Sequence, residues 1–219
     1  KDGIVKNASK QDQRDADKLG TSDTSITPSA SGSATPETLP LGIEKAEEAK
    51  KNGKPVHVVI FQDFNCHHCR DFEQANYEII KKLVEDGSIT VEYRNMIILD
   101  RGSPTQYSAR TANAAYAVAN QVSADKYLEF QKELFDRQGG GDLNNQQIAD
   151  IAAKYGANIS SDLNDNKWRP LVNVVNEESL KNGVHGTPAI YADGEQFPGP
   201  KSEDFPKWVQ GKIDAKKQQ

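Results

Sequence analysis

Val56-His57-Val58-Val59-Ile60-Phe61-Gln62-Asp63-Phe64-Asn65-Cys66-His67-His68-Cys69 is the stretch that decides the fold. Val56 to Phe61 is a β-branched, apolar run of the kind that forms a buried strand. After the cysteines, Phe72, Ala75, Ile79, Ile80 and Leu83 recur at three- and four-residue spacing, the stripe of a helix with one face in a core. The two cysteines, the only ones in 219 residues, therefore open a helix that follows a strand.

A helix start presents unpaired backbone N–H groups and the positive end of the helix dipole, so a thiolate there is stabilised relative to its thiol. Cys66 is expected to be the more exposed of the pair and to attack. Cys69, one turn on and turned toward the helix body, is expected to resolve. Such a thiolate exchanges with a substrate thiol or disulfide through a mixed disulfide, and the second cysteine closes the internal bond again. A structural staple explains the pair less well. In the chain-entropy model a loop of about four residues stabilises by about 2 kcal/mol, against roughly 4.7 kcal/mol for a loop of about 100 residues. A chain of 24.1 kDa also builds a core without a staple.

His68, on the first helical turn, is expected to place a donor or an imidazolium close to the Cys66 sulfur, since imidazole titrates near neutrality. Any interaction that favours the thiolate stabilises the reduced protein, so the disulfide becomes a stronger oxidant by about 30 mV for each 1.4 kcal/mol. Oxidase is thus the favoured direction. His67 points about 100° away from His68 on a helix, and is read either as a redox-tuning neighbour or as a solvated loop residue.

The run from Phe61 to Cys69, with Gly183-Val184-His185-Gly186-Thr187-Pro188 and the hairpin after it, resembles the DsbA-like branch of the thioredoxin superfamily. It is especially similar to the extracytoplasmic thiol-disulfide oxidoreductases of Gram-positive bacteria, of the actinobacterial type, over about residues 54 to 214. The resemblance implies an α/β, thioredoxin-like fold with an α-helical domain inserted between the β-α-β unit and a C-terminal β-hairpin and helix. It implies that Pro188 is cis and sits beside the cysteines, and that Thr187 presents backbone groups to an extended substrate peptide. No cofactor is implied beyond a redox-active Cys66–Cys69 disulfide, and no metal. The implied partners are unfolded or reduced exported proteins as substrates and a membrane oxidase for re-oxidation. The isomerases of the wider family are usually dimers with an added dimerisation domain; none is visible here, so a monomer is expected. Two departures stand out. Many relatives carry proline where this chain has His67. Many also carry a buried carboxylate six residues before the first cysteine, where this chain has Ile60. Asp63 is nearer but is expected on a different face, leaving water or another group to move the proton of the resolving thiol.

Around this centre, residues 1–40 are rich in Ser, Thr, Ala, Asp and Lys, carry Pro28, Pro36 and Pro40, and lack apolar periodicity. They cannot repay the entropy of ordering and are read as a flexible extracytoplasmic tether, with a root-mean-square span of about 35 Å. Residues 41–102 form the first part of the thioredoxin-like domain, 103–182 the inserted helical domain, and 183–219 the second part with the Thr-Pro loop. A short helix is expected at Ile43 to Asn52 and a strand at Ile89 to Ile98. Four helical stripes are expected within 103–182, with breaks at Gly139-Gly140-Gly141 and Gly156 and with Pro170 in the first turn of the fourth. This insertion is expected to wall one side of a groove beside Cys66. Asp193-Gly194 between short apolar runs signals a hairpin, and Phe205, Trp208, Val209 and Ile213 a closing helix. The chain shows no 18-residue apolar span and no signal-peptide core. The family places such a domain in the cell envelope, so an anchor or export signal is expected upstream, or a secreted form.

Three other readings compete. Two thiols and two imidazoles in four residues suit zinc or copper as a ligand set. Adjacent His67 and His68 diverge, however, so closure would need His185 or a distant carboxylate. A disulfide reductase or isomerase would use the same pair in another direction. A surface interaction module accounts for the polar tether and leaves the cysteines unexplained. The net charge of −5, with no basic stripe carrying interleaved aromatics, gives no support for nucleic acid.

Overall fold

The computed structural model describes residues 55–218, residue 182 excepted. The tether at 1–40 and the helix expected at Ile43 to Asn52 lie outside the described residues. Strand β1, Val56–Gln62, is buried along its whole length, as a continuous apolar run requires when both faces are covered. It pairs in parallel with β2, Ile89–Asn95, from Val56 opposite Ile89 to Gln62 opposite Asn95. On its other edge it pairs antiparallel with β3, Ala189–Ala192, which turns into β4, Glu195–Gln196. The sheet order is β2-β1-β3-β4. Asp193 and Gly194 both have positive φ, 47° and 87°, which matches the right-handed twist of the flanking strands and is why an Asp-Gly pair connects them.

Two parallel strands need a long crossover, and α1, His67–Glu85, supplies it. It stops in a Schellman turn: Ser88 N–H donates to Leu83 O, Gly87 N–H to Val84 O, and Gly87 takes the left-handed conformation at φ 79°. Its buried face carries Cys69, Phe72, Glu73, Asn76, Tyr77, Ile80, Leu83 and Val84. Ala75, counted in the sequence stripe, is exposed. Val56, Val58, Ile60, Val91, Tyr93, Ile190 and Ala192 meet this helix and Phe205, Val209 and Ile213 of α7, Phe205–Lys217, in the main core. Val59 and Phe61 point the other way, into a smaller cluster with Met96, Val184 and Ala189.

Among the described residues, five α-helices lie between β2 and β3: α2, Tyr107–Ala119; α3, Ala124–Asp136; α4, Asn145–Lys154; α5, Ser160–Asn164; and α6, Arg169–Lys181. The sequence showed four, because α5 is a single turn and too short to display a period. β2 ends before the expected Ile98. The last rung is Met96 N–H to Gln62 O, 2.6 Å; β1 offers nothing further, and Ile97 N–H turns to Asn176 Oδ1, 3.0 Å. Ile98–Gly102 then forms a 3-10 turn.

Candidate active site

The chain leaves β1 at Gln62 and turns at once. The Asp63 carboxylate accepts from Asn65 N–H at 2.9 Å, and Asp63 O from Cys66 N–H at 2.9 Å. This Asx turn delivers Cys66 to the N-cap of α1 with extended backbone, φ −92° and ψ 122°. Its sulfur accepts from Cys69 N–H at 3.4 Å, the bond a capping side chain makes to an otherwise orphaned donor. Phe61 pairs with Ala189, so the loop entering β3 lies beside the loop leaving β1. The Cys66 thiol thereby reaches the Thr187 carbonyl, 3.6 Å away, and the Thr187–Pro188 peptide bond beside it is cis.

Cys66 and Cys69 are both unpaired thiols, 8% and 2% exposed. A hydrogen bond from the Cys69 thiol holds the Cys66 thiol well below the usual range, to about 5. The Thr187 side chain and the backbone N–H groups of Cys69 and His68 add to this, and burial opposes it. Burial pushes Cys69 the other way, reinforced by its hydrogen bond to Cys66 and the charge there. The negative charge of the pair thus sits on the more exposed sulfur and the proton on the deeper one.

The His68 backbone N–H contributes to the acidity of the Cys66 sulfur. Both His67 and His68 are exposed, and their rings lie against each other at 4.1 Å. The His68 side chain instead lines a groove of about 820 Å³ beside the cysteines, with Phe72, Thr187, Pro188, Phe197 and Pro200. None of the residues lining this groove comes from 103–182, so the helical insertion does not wall it. The insertion lies against the other side of the active-site loop, where Ser108 and Gln138 reach residues 63–66.

The family model for thioredoxin matches residues 50–211. The chain belongs to the thioredoxin family. Within that family its likeness is to DsbA-like thiol-disulfide oxidoreductases of actinobacteria. Reduced DsbA from Mycobacterium tuberculosis is 27% identical with a TM-score of 0.64, over 74% of this chain and 82% of that one. The reduced disulfide bond oxidoreductase DsbG of the same organism is 26% identical, TM-score 0.62, over 74% and 77%. MdbA, a thiol-disulfide oxidoreductase of Actinomyces oris, shares the fold at 20% identity, TM-score 0.67, over 87% and 98%. No curated protein sequence matches the chain.

Two buried carboxylates stand around this thioredoxin-family site, Asp63 in the active-site turn and Glu73, which the sequence did not single out. Asp63 is fully buried in the turn that leads to Cys66. It accepts from Ser108 Oγ at 2.6 Å and Leu99 N–H at 3.1 Å. Burial pushes its carboxyl up against those hydrogen bonds, and the Cys66 charge pushes it further. The Asp-x-Asn turn was its only signal in the sequence. Glu73, one turn beyond Cys69 on the same buried face, accepts from Gln131 Nε2 at 2.9 Å, while its second oxygen is buried without a partner. Burial pushes this carboxyl up to about 7. Gln131 also accepts from Gln62 Nε2 and the Tyr127 hydroxyl, each at 2.9 Å, tying α1 and α3 to the end of β1.

The other histidines lie apart. His57 faces away from α1, with its ring 2.6 Å from Thr90 Oγ1 and 3.0 Å from Glu92 Oε1, and Glu92 in turn pairs with buried Arg94. His185 is exposed and does not line the groove. Among the described residues, no group of three or more His, Cys, Asp or Glu is gathered as a metal site, and no helix is long and apolar enough to cross a membrane.

Proposed function

We propose that this protein is an extracytoplasmic thiol-disulfide oxidase that passes the Cys66–Cys69 disulfide to reduced, exported proteins. The observation that carries the reading is the Cys66 sulfur at the α1 N-cap, acidified and facing the Thr187 carbonyl beside cis Pro188. A substrate thiolate attacks the Cys66 sulfur, the internal S–S bond breaks, and Cys69 leaves and takes up a proton. A second substrate thiolate then attacks the substrate sulfur of the mixed disulfide and Cys66 departs as a thiolate. Two substrate thiols become one disulfide, and the protein's disulfide becomes a dithiol. An acidic Cys66 is a good leaving group in the second step, which favours donation over reduction.

Thr187 and Pro188 are the peptide-docking edge, and the groove lined by His68, Phe72 and Phe197 receives the flanking substrate chain. His68 shapes its rim, with the His67 ring against it. Re-oxidation falls to a membrane oxidase, and the protein works as a monomer in the cell envelope. The proposed domain plan is a tether at 1–40, a helical insertion at 103–182 and a thioredoxin-like domain in two parts at 41–102 and 183–219.

The test is reduced, unfolded ribonuclease incubated with the oxidised protein. Regained ribonuclease activity that Cys66→Ala abolishes supports oxidase; failure of the wild type refutes it. Equilibration with glutathione assigns direction, and a potential near the thioredoxin value of about −270 mV would make the protein a reductase.

A further inference from the structure

Gln138 lies just past the end of α3, its backbone N–H bonded to Phe135 O at 3.0 Å, and its side chain is half-buried. Its Nε2 donates to two carbonyls of the active-site loop, Phe64 O at 2.9 Å and Cys66 O at 3.1 Å. A primary amide carries two N–H groups, so both bonds form at once. The bonded carbonyls flank Asn65, and the two together fix the peptide planes that lead into the N-cap. A second contact reinforces the grip, because the rings of Phe64 and Phe135 meet at 4.8 Å.

We infer that Gln138 is a positioning residue for the redox reaction: it fastens the inserted helices to the loop that aims the Cys66 sulfur at the α1 N–H groups. The capping contact from Cys69 N–H is long, 3.4 Å, so a small rotation at Cys66 removes much of it. Cys66 O already accepts the first helical bond, from Arg70 N–H at 3.1 Å. The additional donor on the same oxygen polarises that peptide, whose N–H belongs to the helix start, and bonds linked in this way strengthen one another. A residue 72 positions from Cys66, in a segment that does not line the substrate groove, thereby governs how readily the sulfur ionises.

The inference rests on the thiol-exchange reading, but its measurement does not depend on exchange. Thiolate absorbance of the reduced protein is titrated in wild type and in Gln138→Met, which keeps the side-chain length and removes the donor. Cys66→Ala provides the blank. The Cys66 midpoint is expected to rise by about one pH unit, and the glutathione equilibrium to shift about tenfold toward the disulfide form, about 30 mV more reducing. A purely structural role would lower the thermal midpoints of the reduced and oxidised forms equally and leave the titration where it was; that result overturns the inference. Should Gln138→Met fail to fold, Gln138→Asn, one methylene too short to span both carbonyls, is read by the same criterion. Inactivity of the wild type toward ribonuclease refutes the oxidase reading and leaves this titration to be judged separately.

Discussion

The Cys66 sulfur and the Thr187 carbonyl oxygen lie 3.6 Å apart although 121 positions separate them in the chain. On the proposed function, a substrate held by Thr187 presents its own sulfur to Cys66, not to the deeper Cys69. Cys69→Ala is expected to accumulate a mixed disulfide with a disulfide-bonded substrate, because the Cys66 thiolate opens the substrate S–S bond, releases one substrate thiolate and has no Cys69 to resolve it; the adduct is visible on a non-reducing gel after alkylation, and Cys66→Ala is expected to form none. Trapping through Cys69 in the Cys66→Ala variant would reverse the assigned roles.

The acidity of Cys66 links stability to pH. Its thiol ionises at about 5 in the folded, reduced protein and at about 8.5 in an unfolded chain, so between these values the unfolded state binds more protons. Stability from this group is complete above pH of about 8.5 and is lost as pH falls through about 5. The oxidised protein has no such group. The thermal midpoint of the reduced form, relative to the oxidised form, is expected to rise between pH 4.5 and 8. A gap that stays flat over that range would mean an ordinary thiol. Cys69, pushed upward, acts in the opposite sense only above its unfolded pKa.

Glu73 gives the opposite slope. Its carboxyl, pushed up to about 7, holds a proton in the folded state that the unfolded chain has lost, so its stabilising contribution is complete below about 4.3 and gone above about 7. Glu73→Gln keeps an acceptor for Gln131 and removes the charge. It is expected to stabilise the protein by about 1 to 3 kcal/mol at pH 8 and by little at pH 5 in urea titrations. Equal effects at both pH values would place the ionisation of Glu73 outside this window.

Ser108→Ala removes the 2.6 Å donor to the buried Asp63 carboxylate. The expected cost is about 1 to 3 kcal/mol at pH 8, shrinking toward acid pH as Asp63 protonates, because a lost donor penalises only the charged form fully. A cost that does not change with pH would show that the hydroxyl serves packing alone.

How much of this was legible in the sequence follows from the range of each signal. β1, α1 and the Asp193-Gly194 hairpin were readable because the periods of strands and helices and the positive φ of the turn residues act within a few positions. The end of β2 was not, since it depends on where β1 stops offering partners. α5, of five residues, leaves no period to read. Helical spacing placed His68 on the first turn and could not show that its backbone N–H would contribute to the acidity of the sulfur. The partners of His57 follow from the parallel register that sets it opposite Thr90, which no local pattern encodes.

The chain alone specified a strand, a tight turn and a dithiol at a helix start, all products of short-range preferences and of the dipole that every helix carries. The partners of that dithiol came from elsewhere: Thr187 from the β3 loop, Ser108 from α2, Gln138 from beyond α3. Contacts over such separations exist only once strand register and helix packing bring remote backbone within about 3 Å, and that depends on how the whole core closes.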